Sequence, residues 1–428
     1  MLLTALLLLL ALIALSLPIA AALGVLGVVL DRAYGFLPFY QAAGEVAWTN
    51  SSGFLLMAIP LFVLLGEIML RSGIADAMYD ALAKWLGWLP GGVMHANIGA
   101  CSLFAATSGS SVATAATIGT VALPQIERHG YGPRLFLGTL AAGGTLGILI
   151  PPSVNMIIYG ILTNSSVPQL YLAGIIPGLI LAALFMAAIV AISILKPEVA
   201  GRRVRYTWSE RLSGTLGVVP PALIFVLVIG SIYGGIATPT EAAALGVVGA
   251  LGIAASRKRL TLRMITEAVE GTVVTTSMIM LIIVAAYFLN MILASIGLTT
   301  RLNEFVSALG LSPIEMLIAV VIFYIILGCF METLSMMITT IPIIAPLMFS
   351  LGFDPIWYGV LMMILIETAL ITPPIGLNLY VVQGVRGQGP MSDVMMGALP
   401  FVVAMAVMIV LLAAFPGIAT WLPNALLD

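Results

Sequence analysis

Apolar runs close to twenty residues or longer recur at 2–30, 54–70, 168–195, 213–235, 238–255, 272–294 and 395–422. Each is long enough to cross a bilayer as a helix, for which about twenty residues suffice. Four further stretches are apolar but interrupted: 91–127, 134–163, 313–350 and 355–386. In 91–127 and 313–350 the interruption is a polar turn, "ATSGSSVATAAT" at 106–117 and "LGCFMETLSMMITT" at 327–340. In the other two it is a pair of prolines, in "GILIPPSVN" at 147–155 and "ALITPPIGLN" at 369–378. A proline inside a helix removes a hydrogen bond and crowds the preceding turn, costing roughly 3 kcal/mol or more. The pattern therefore predicts helical hairpins over 91–127 and 313–350, and broken helices over 134–163 and 355–386.

The interruptions match because the chain repeats. At an offset of 222 residues, Pro124 meets Pro346, Gly130 meets Gly352, Pro133 meets Pro355, and Pro151-Pro152 meet Pro373-Pro374. Further out, Ala21-Ala22-Leu23-Gly24 meets Ala243-Ala244-Leu245-Gly246. A slip of one residue then aligns Gly87 with Gly310, Pro90 with Pro313, Gly174 with Gly397 and Pro177 with Pro400. Such periodic self-similarity marks a duplication.

Positive charge orients the copies. Loop 196–211 holds Lys196, Arg202, Arg203, Arg205 and Arg211, and loop 256–263 holds Arg257, Lys258, Arg259 and Arg263. Both are expected on the cytoplasmic side. Threading from there sends 2–30 outward and 54–70 back, and makes 91–127 a re-entrant hairpin from the inside. Segment 134–163 exits, 168–195 returns, 272–294 exits, 313–350 enters as a hairpin from outside, 355–386 returns and the last span exits. Only Arg32 and Arg301 are left outside. The N-terminus is then cytoplasmic and the C-terminus periplasmic. Five crossings separate the starts of the two halves, so the repeats point in opposite directions.

Composition supports a membrane setting: 61% of the residues are hydrophobic and 8% charged, against about 45–50% and 25% in soluble domains. Met1–Leu30 lacks a positive leading region and its apolar run exceeds a signal's, so it reads as the first membrane helix. With a formal charge of −2 and no basic tract, nothing suggests nucleic acid. Cys101 and Cys329 form neither a disulfide framework nor a metal spacing. His95 and His129 have no partner that spacing supplies, and no His-Glu-x-x-His or phosphate-binding lysine loop occurs. An intramembrane hydrolase would need a base beside Ser108–Ser111, and a channel would need a polar stripe along a span. Neither is visible, so the chain reads as a transporter and not as an enzyme.

Inverted repeats with broken helices are how many secondary transporters build a site at the bilayer midplane, where irregular backbone survives only against protein or a water-filled cavity. The hydroxyls and glycines of Thr107–Thr117 suit Na⁺ and carboxylate oxygens, although small residues also serve helix packing. Glu332, in the second turn, is an ionisable group at membrane depth and a functional candidate by default. Glu367 either lies near the site or fills a polar packing pocket. Asn155 and Asn378 can bridge a broken backbone or touch substrate, since an amide both donates and accepts. Glu241, in "ATPTEAAALG", has the spacing of a capping box and a structural role. Stretches 72–88 and 295–310 are amphipathic, precede the hairpins in matching positions and read as interfacial arms.

With "SGSSVATAATIGTVALPQIERHGY", "GTLGILIPPS", "YGGIATPTEAAA" and "ETALITPPIGLNLY", the whole chain resembles the large membrane subunit (DctM-like) of tripartite ATP-independent periplasmic (TRAP) transporters, in the ion-transporter superfamily. The resemblance implies an all-α, multi-pass protein of the bacterial inner membrane that imports an organic acid with Na⁺. The acid would be a C4-dicarboxylate, sialic acid or another sugar acid. It implies two partners, a small membrane subunit (DctQ-like) and a periplasmic binding protein (DctP-like), and an elevator movement. The moving part would comprise 91–165 and 313–388, against a scaffold of 1–90, 166–312 and 389–428. One Na⁺ would lie among Ser108, Gly109, Ser110, Ser111, Gly144, Thr145, Gly147 and Pro151. A second would lie among Gly328, Glu332, Thr333, Thr368, Ile371, Thr372 and Pro373. The substrate would meet Ser110, Ser111, Pro152, Ser153, Asn155, Glu332, Thr333, Pro374, Gly376 and Asn378. The chain departs from the family at Thr114, where some members carry an acid, and at Glu332, where a shorter Asp is common. A stand-alone Na⁺/carboxylate symporter or Na⁺/H⁺ antiporter of the same superfamily is the alternative. Moving an anion inward opposes the membrane potential by about 2.3 kcal/mol per charge per 100 mV. A dicarboxylate therefore needs more than two Na⁺ for its entry to be electrically favourable.

Overall fold

The computed structural model describes residues 2–15, 17–202, 206–298, 301, 304, 310–328 and 331–427. Cys329, Arg203, Arg205 and most of the expected second arm lie outside the described residues. Among the described residues there is no strand, and six helices are long and apolar enough to cross a membrane, or up to eight if two bent pairs count as spans.

Both hairpins form where the polar turns predict them. Helices Met94–Ser108 and Ser111–Ala122 make the first, Pro313–Gly328 and Thr333–Ser350 the second. The 15 residues of Met94–Ser108 span about 22 Å, short of the roughly 30 Å of a hydrocarbon core. The first turn works because Gly109 takes a left-handed φ of +60° and returns its N–H to the Ala105 carbonyl, a helix ending that residues with a side chain rarely adopt. Both double prolines break their helices. Pro133–Leu149 is followed by Val154–Thr163, bent by 42°, and Pro355–Ile371 by Leu377–Arg386. The first break is buried, whereas Pro373 is half-buried and Pro374 exposed.

The broken helices run antiparallel. Arg134, at the start of one, and Arg386, at the end of the other, converge on Asp393 at 2.9 and 3.2 Å. At the far end Tyr159 Oη donates to the Pro355 carbonyl at 2.7 Å. The packing is also reciprocal: Leu377–Arg386 lies on Ser111–Ala122, and Val154–Thr163 lies on Thr333–Ser350.

Four expectations are corrected. Segment 2–30 is two helices, Leu2–Ala14 and Ile19–Tyr34, with Pro18 opening the second. They fold back on one another, Thr4 Oγ1 lying 3.0 Å from Tyr34 Oη, so the N-terminal end lies beside Tyr34 instead of opposite it. Segment 272–294 belongs to a 34-residue helix, Leu262–Ser295, that starts earlier because Thr261 caps it by accepting from Met264 N. The last run, 395–422, divides at Phe415-Pro416 into Met391–Ala414 and Gly417–Leu427, since the residue before proline avoids helical angles. Finally, 213–235 is a bent pair, Trp208–Thr215 and Val219–Tyr233.

The helices fall into two groups by their principal packing partners. Ile19–Tyr34, Ala58–Arg71, Val219–Tyr233, Pro239–Ser256 and Leu262–Ser295 pack mainly on one another. Val167–Leu195 and Met391–Ala414, expected with that frame, pack instead on the broken helices. The reason for Met391–Ala414 is a glycine crossing: a Cβ on Gly138 would collide with the Gly397 carbonyl, and one on Gly397 with the Arg134 carbonyl. The first arm forms as Ile74–Leu86 and joins the hairpin through buried Asn97, whose Oδ1 accepts from Tyr79 Oη and whose Nδ2 donates to Thr139 Oγ1, both at 2.7 Å. Glu241 is the cap its spacing predicts: its carboxylate accepts from Thr238 N and Oγ1 at 2.8 Å, and Thr238 Oγ1 accepts from Glu241 N. Thr238→Ala is expected to cost about 1 kcal/mol, measurable as a lower melting temperature in detergent with folding retained.

Candidate functional site

A helix satisfies each carbonyl with the amide four residues on, and proline has none. Pro151 and Pro152 therefore free the carbonyls of Gly147 and Ile148, and Pro373 and Pro374 those of Ala369 and Leu370. The hairpin tips sit on these residues. A Cβ on Gly147 would lie 3.3 Å from the Ser110 carbonyl, and one on Gly328 would collide with Ala369. Under the 222-residue offset Gly147 and Ala369 are equivalent positions.

At the first tip, Ser110 caps the returning helix by accepting from Ala113 N at 3.3 Å, and its carbonyl accepts from Thr114 Oγ1 at 2.7 Å. Ser108 Oγ lies 3.0 Å from Thr114 Oγ1. Thr114 thus uses its hydroxyl to brace the tip. At the second tip Glu332 caps Thr333–Ser350, its carboxylate accepting from Ser335 N at 3.1 Å and Ser335 Oγ at 3.2 Å. A capping carboxylate is favourable at a helix N-terminus and keeps lone pairs for a cation.

The tips face each other across a cavity of about 150 Å³, lined by Ser108, Gly109, Ser110, Ser111, Asn155, Glu332 and Thr333. A second cavity of about 110 Å³ holds Gly328, Glu332 and Thr333 with Ala369 and Leu370. Glu332 and Thr333 stand between the two. The remaining expected residues line neither cavity. Gly144 is packed against Ala115, and Thr145 is buried with its hydroxyl bonded to the Ala142 carbonyl. Pro151 and Ser153 are buried, and Pro152 turns its carbonyl toward Gly109. Thr368 and Thr372 bond the carbonyls of Ile364 and Thr368. Ile371 and Gly376 are buried, Pro373 is half-buried and Pro374 is exposed.

Of the two asparagines, Asn155 lines the cavity, whereas Asn378 bridges the halves by donating to the Ala141 carbonyl at 3.3 Å. Glu367 lies outside both cavities and is fully buried, against the backbone of Leu149 at the first break.

Residues 6–418 match the family model described as "Tripartite ATP-independent periplasmic transporter, DctM component". The chain belongs to the DctM family. Members of this family are TRAP transporter large permeases, transport proteins and not enzymes. The C4-dicarboxylate TRAP transporter large permease protein DctM of Pseudomonas aeruginosa is 36% identical over 88% of this chain and 87% of its own. The sialic acid TRAP transporter large permease protein SiaM of Vibrio cholerae is 30% identical over 92% and 95%. In fold, the DctM chain is similar to the crystal structure of the Alcanivorax borkumensis YdaH transporter, with a TM-score of 0.61 over 97% of this chain and 99% of that one at 16% identity.

Sequence reasoning missed one wall of the tip cavity of this DctM protein. Val63, Gly66, Glu67, Leu70, Thr275 and Ile279 come from frame helices and close the cavity opposite the tips. The available signal was Glu67, an acid inside an apolar run with Arg71 one turn later, a pairing that helix geometry brings together.

Proposed function

We propose that this permease imports organic acids with Na⁺ as co-substrate, fed by a periplasmic binding protein and braced by a small membrane subunit in the bacterial inner membrane. The observation that carries this reading is that each tip rests on the residue whose carbonyl its own double proline has released. Unpaired carbonyls and hydroxyls are neutral oxygen donors, the kind that broken transporter helices offer Na⁺. The first cation would be shared by the Ser108–Ser111 tip and the Gly147 break, the second by the Gly328–Thr333 tip and the Ala369 break. The acid's carboxylate would lie in the cavity between them, reached by Ser110, Ser111, Asn155 and Thr333. No Arg or Lys lines that cavity among the described residues, so the cations supply the positive charge, and without Na⁺ the anion binds poorly. The relatives named above make C4-dicarboxylates and sialic acids the first candidates, with other sugar acids behind them.

The antiparallel broken helices and their reciprocal packing support inverted repeats. The division into two packing groups supports an elevator, with one change to the expected parts: Val167–Leu195 and Met391–Ala414 travel with the broken helices. The frame is then Ile19–Arg71 and Val219–Ser295.

Proteoliposomes holding the permease and small subunit, with binding protein and labelled acid outside, test this reading. Uptake should require both an inward Na⁺ gradient and the binding protein; uptake without the binding protein would favour a stand-alone symporter. Ser110→Ala with Ser111→Ala should raise the Na⁺ concentration for half-maximal uptake about tenfold, the worth of one good hydrogen-bonding ligand, with membrane insertion intact. An unchanged Na⁺ dependence would remove these hydroxyls from the site.

A further inference from the structure

We propose that Glu67 is a release residue: a carboxylate fixed on the frame that weakens anion binding when the tips stand beside it. The inference rests on the importer reading above. The cavity wall is of two kinds. Ser110, Asn155, Glu332 and Thr333 belong to the body that carries the tips, whereas Glu67 and Thr275 belong to Ala58–Arg71 and Leu262–Ser295 of the frame. When the tip body slides, Glu332 travels with the site and acts equally at both ends of the stroke. Glu67 stays behind, so its effect differs between the two ends. Only a differential interaction of this kind can give one state a different affinity from the other.

Glu67 is held where it can act. Beside it, Gly66 lets the frame helix close on the first tip, since a Cβ there would lie 2.6 Å from the Ser108 carbonyl oxygen. Across from it, Gly271 leaves room for the carboxylate, which a Cβ would approach to 2.8 Å. Glu67 pairs with Arg71; Arg71 lies 3.8 Å from Glu267, and Glu267 pairs with Arg263 at 2.7 Å. This chain of alternating charge leads away from the cavity. Among these four groups only Glu67 lines it, so the negative end faces the tips.

The same conformation leads toward the positively charged loops. The tip cavity shares Leu70 with a neighbouring cavity of about 310 Å³, which shares Asp76 and Val121 with a third of about 270 Å³ that ends at Arg128, His129 and Tyr206. The charge pattern assigns that end to the cytoplasm. Glu67 therefore meets the site at the inner end of the stroke, where an importer has to let its anion go. The Glu67–Arg71 pair is neutral as a whole, but its carboxylate lines the cavity and its guanidinium does not, so the negative end lies nearer a bound anion and lowers its affinity there.

The test uses the permease with its small subunit and binding protein in proteoliposomes, the anion being whichever of labelled succinate, sialic acid and gluconate the wild type takes up. Unlabelled anion is loaded inside. In Glu67→Gln the internal concentration that halves uptake should fall about tenfold, within the range of typical coupling between states. The maximal rate should fall severalfold while half-saturation by loaded binding protein outside stays the same. Glu67→Asp, which keeps the charge, should move the internal constant less, and Thr275→Asp added to Glu67→Gln should move it back. Unchanged internal inhibition in Glu67→Gln overturns the proposal. Should Glu67→Gln fail to reach the membrane, Thr275→Asp alone must raise the internal half-inhibition concentration, and no rise overturns the proposal equally. A wild type that takes up none of the three anions removes the importer reading itself, and this inference with it.

Discussion

With Pro373→Ala and Pro374→Ala combined, Na⁺-driven uptake should fall about a hundredfold or more, while the protein remains folded and inserted. The two alanines restore amides to the carbonyls of Ala369 and Leu370 and let the helix Pro355–Ile371 continue toward Leu377. Both prolines lie in the break between the two helices, Pro373 half-buried and Pro374 exposed, so replacing them removes little packing and the variant should not unfold. Two oxygens that could bind a cation are instead consumed by the helix, each withdrawal weakening cation binding by roughly 1–3 kcal/mol. The expected combination is thus a protein whose melting temperature holds or rises and whose transport is abolished. Uptake in proteoliposomes and thermal melting in detergent, on the same preparation, measure both. Full uptake with ordinary Na⁺ dependence would show that the released carbonyls hold no cation.

Gly138→Ala should be among the most damaging single methyls that can be added to this chain, at about 3 kcal/mol or more of stability. The new Cβ would collide with the Gly397 carbonyl and lie 3.0 Å from the amide of Ala398. Both obstacles are backbone, so no rotamer change relieves them. The two helices must separate, and with them the shared grip of Arg134 and Arg386 on Asp393. Gly252→Ala is the control. Gly252 also lies within a helix, Pro239–Ser256, but nothing stands within 4 Å of its would-be Cβ. Alanine there should be neutral or stabilising by up to about 1 kcal/mol. Unfolding of the two variants side by side decides the matter, and equal stability would dismiss the close crossing.

The sequence could distinguish those two glycines only in part. The repeat pairs Gly397 with Gly174 without saying what either touches, and Gly138 lies in a plain apolar run with nothing to mark it. The prolines and the serine-rich turn were legible because each forces a backbone event wherever it occurs: proline withholds an amide, and glycine after a helix permits a left-handed residue. Glu241 was legible for the same reason, its partner being three residues away.

What escaped was decided by contacts between distant segments. Leu2–Leu30 has uniform apolarity, and only Pro18 hints that the run folds back so that Thr4 meets Tyr34. The early start of Leu262–Ser295 was hidden by its charges, since Arg263 and Glu267 satisfy each other one turn apart in a segment that reads as loop. The packing of Met391–Ala414 on the broken helices is not legible in a plain span, since hydropathy carries no information about which neighbour a span prefers. The wall around Glu67 went unseen because a site was sought only where the backbone breaks.

The reciprocal packing of Ser111–Ala122 on Leu377–Arg386 has a consequence for biosynthesis. The ribosome finishes the earlier helix long before it makes its partner, so the amino-terminal hairpin cannot complete this packing until almost all the polypeptide has been made. A gene cut at its midpoint would yield two fragments that mature only by finding each other.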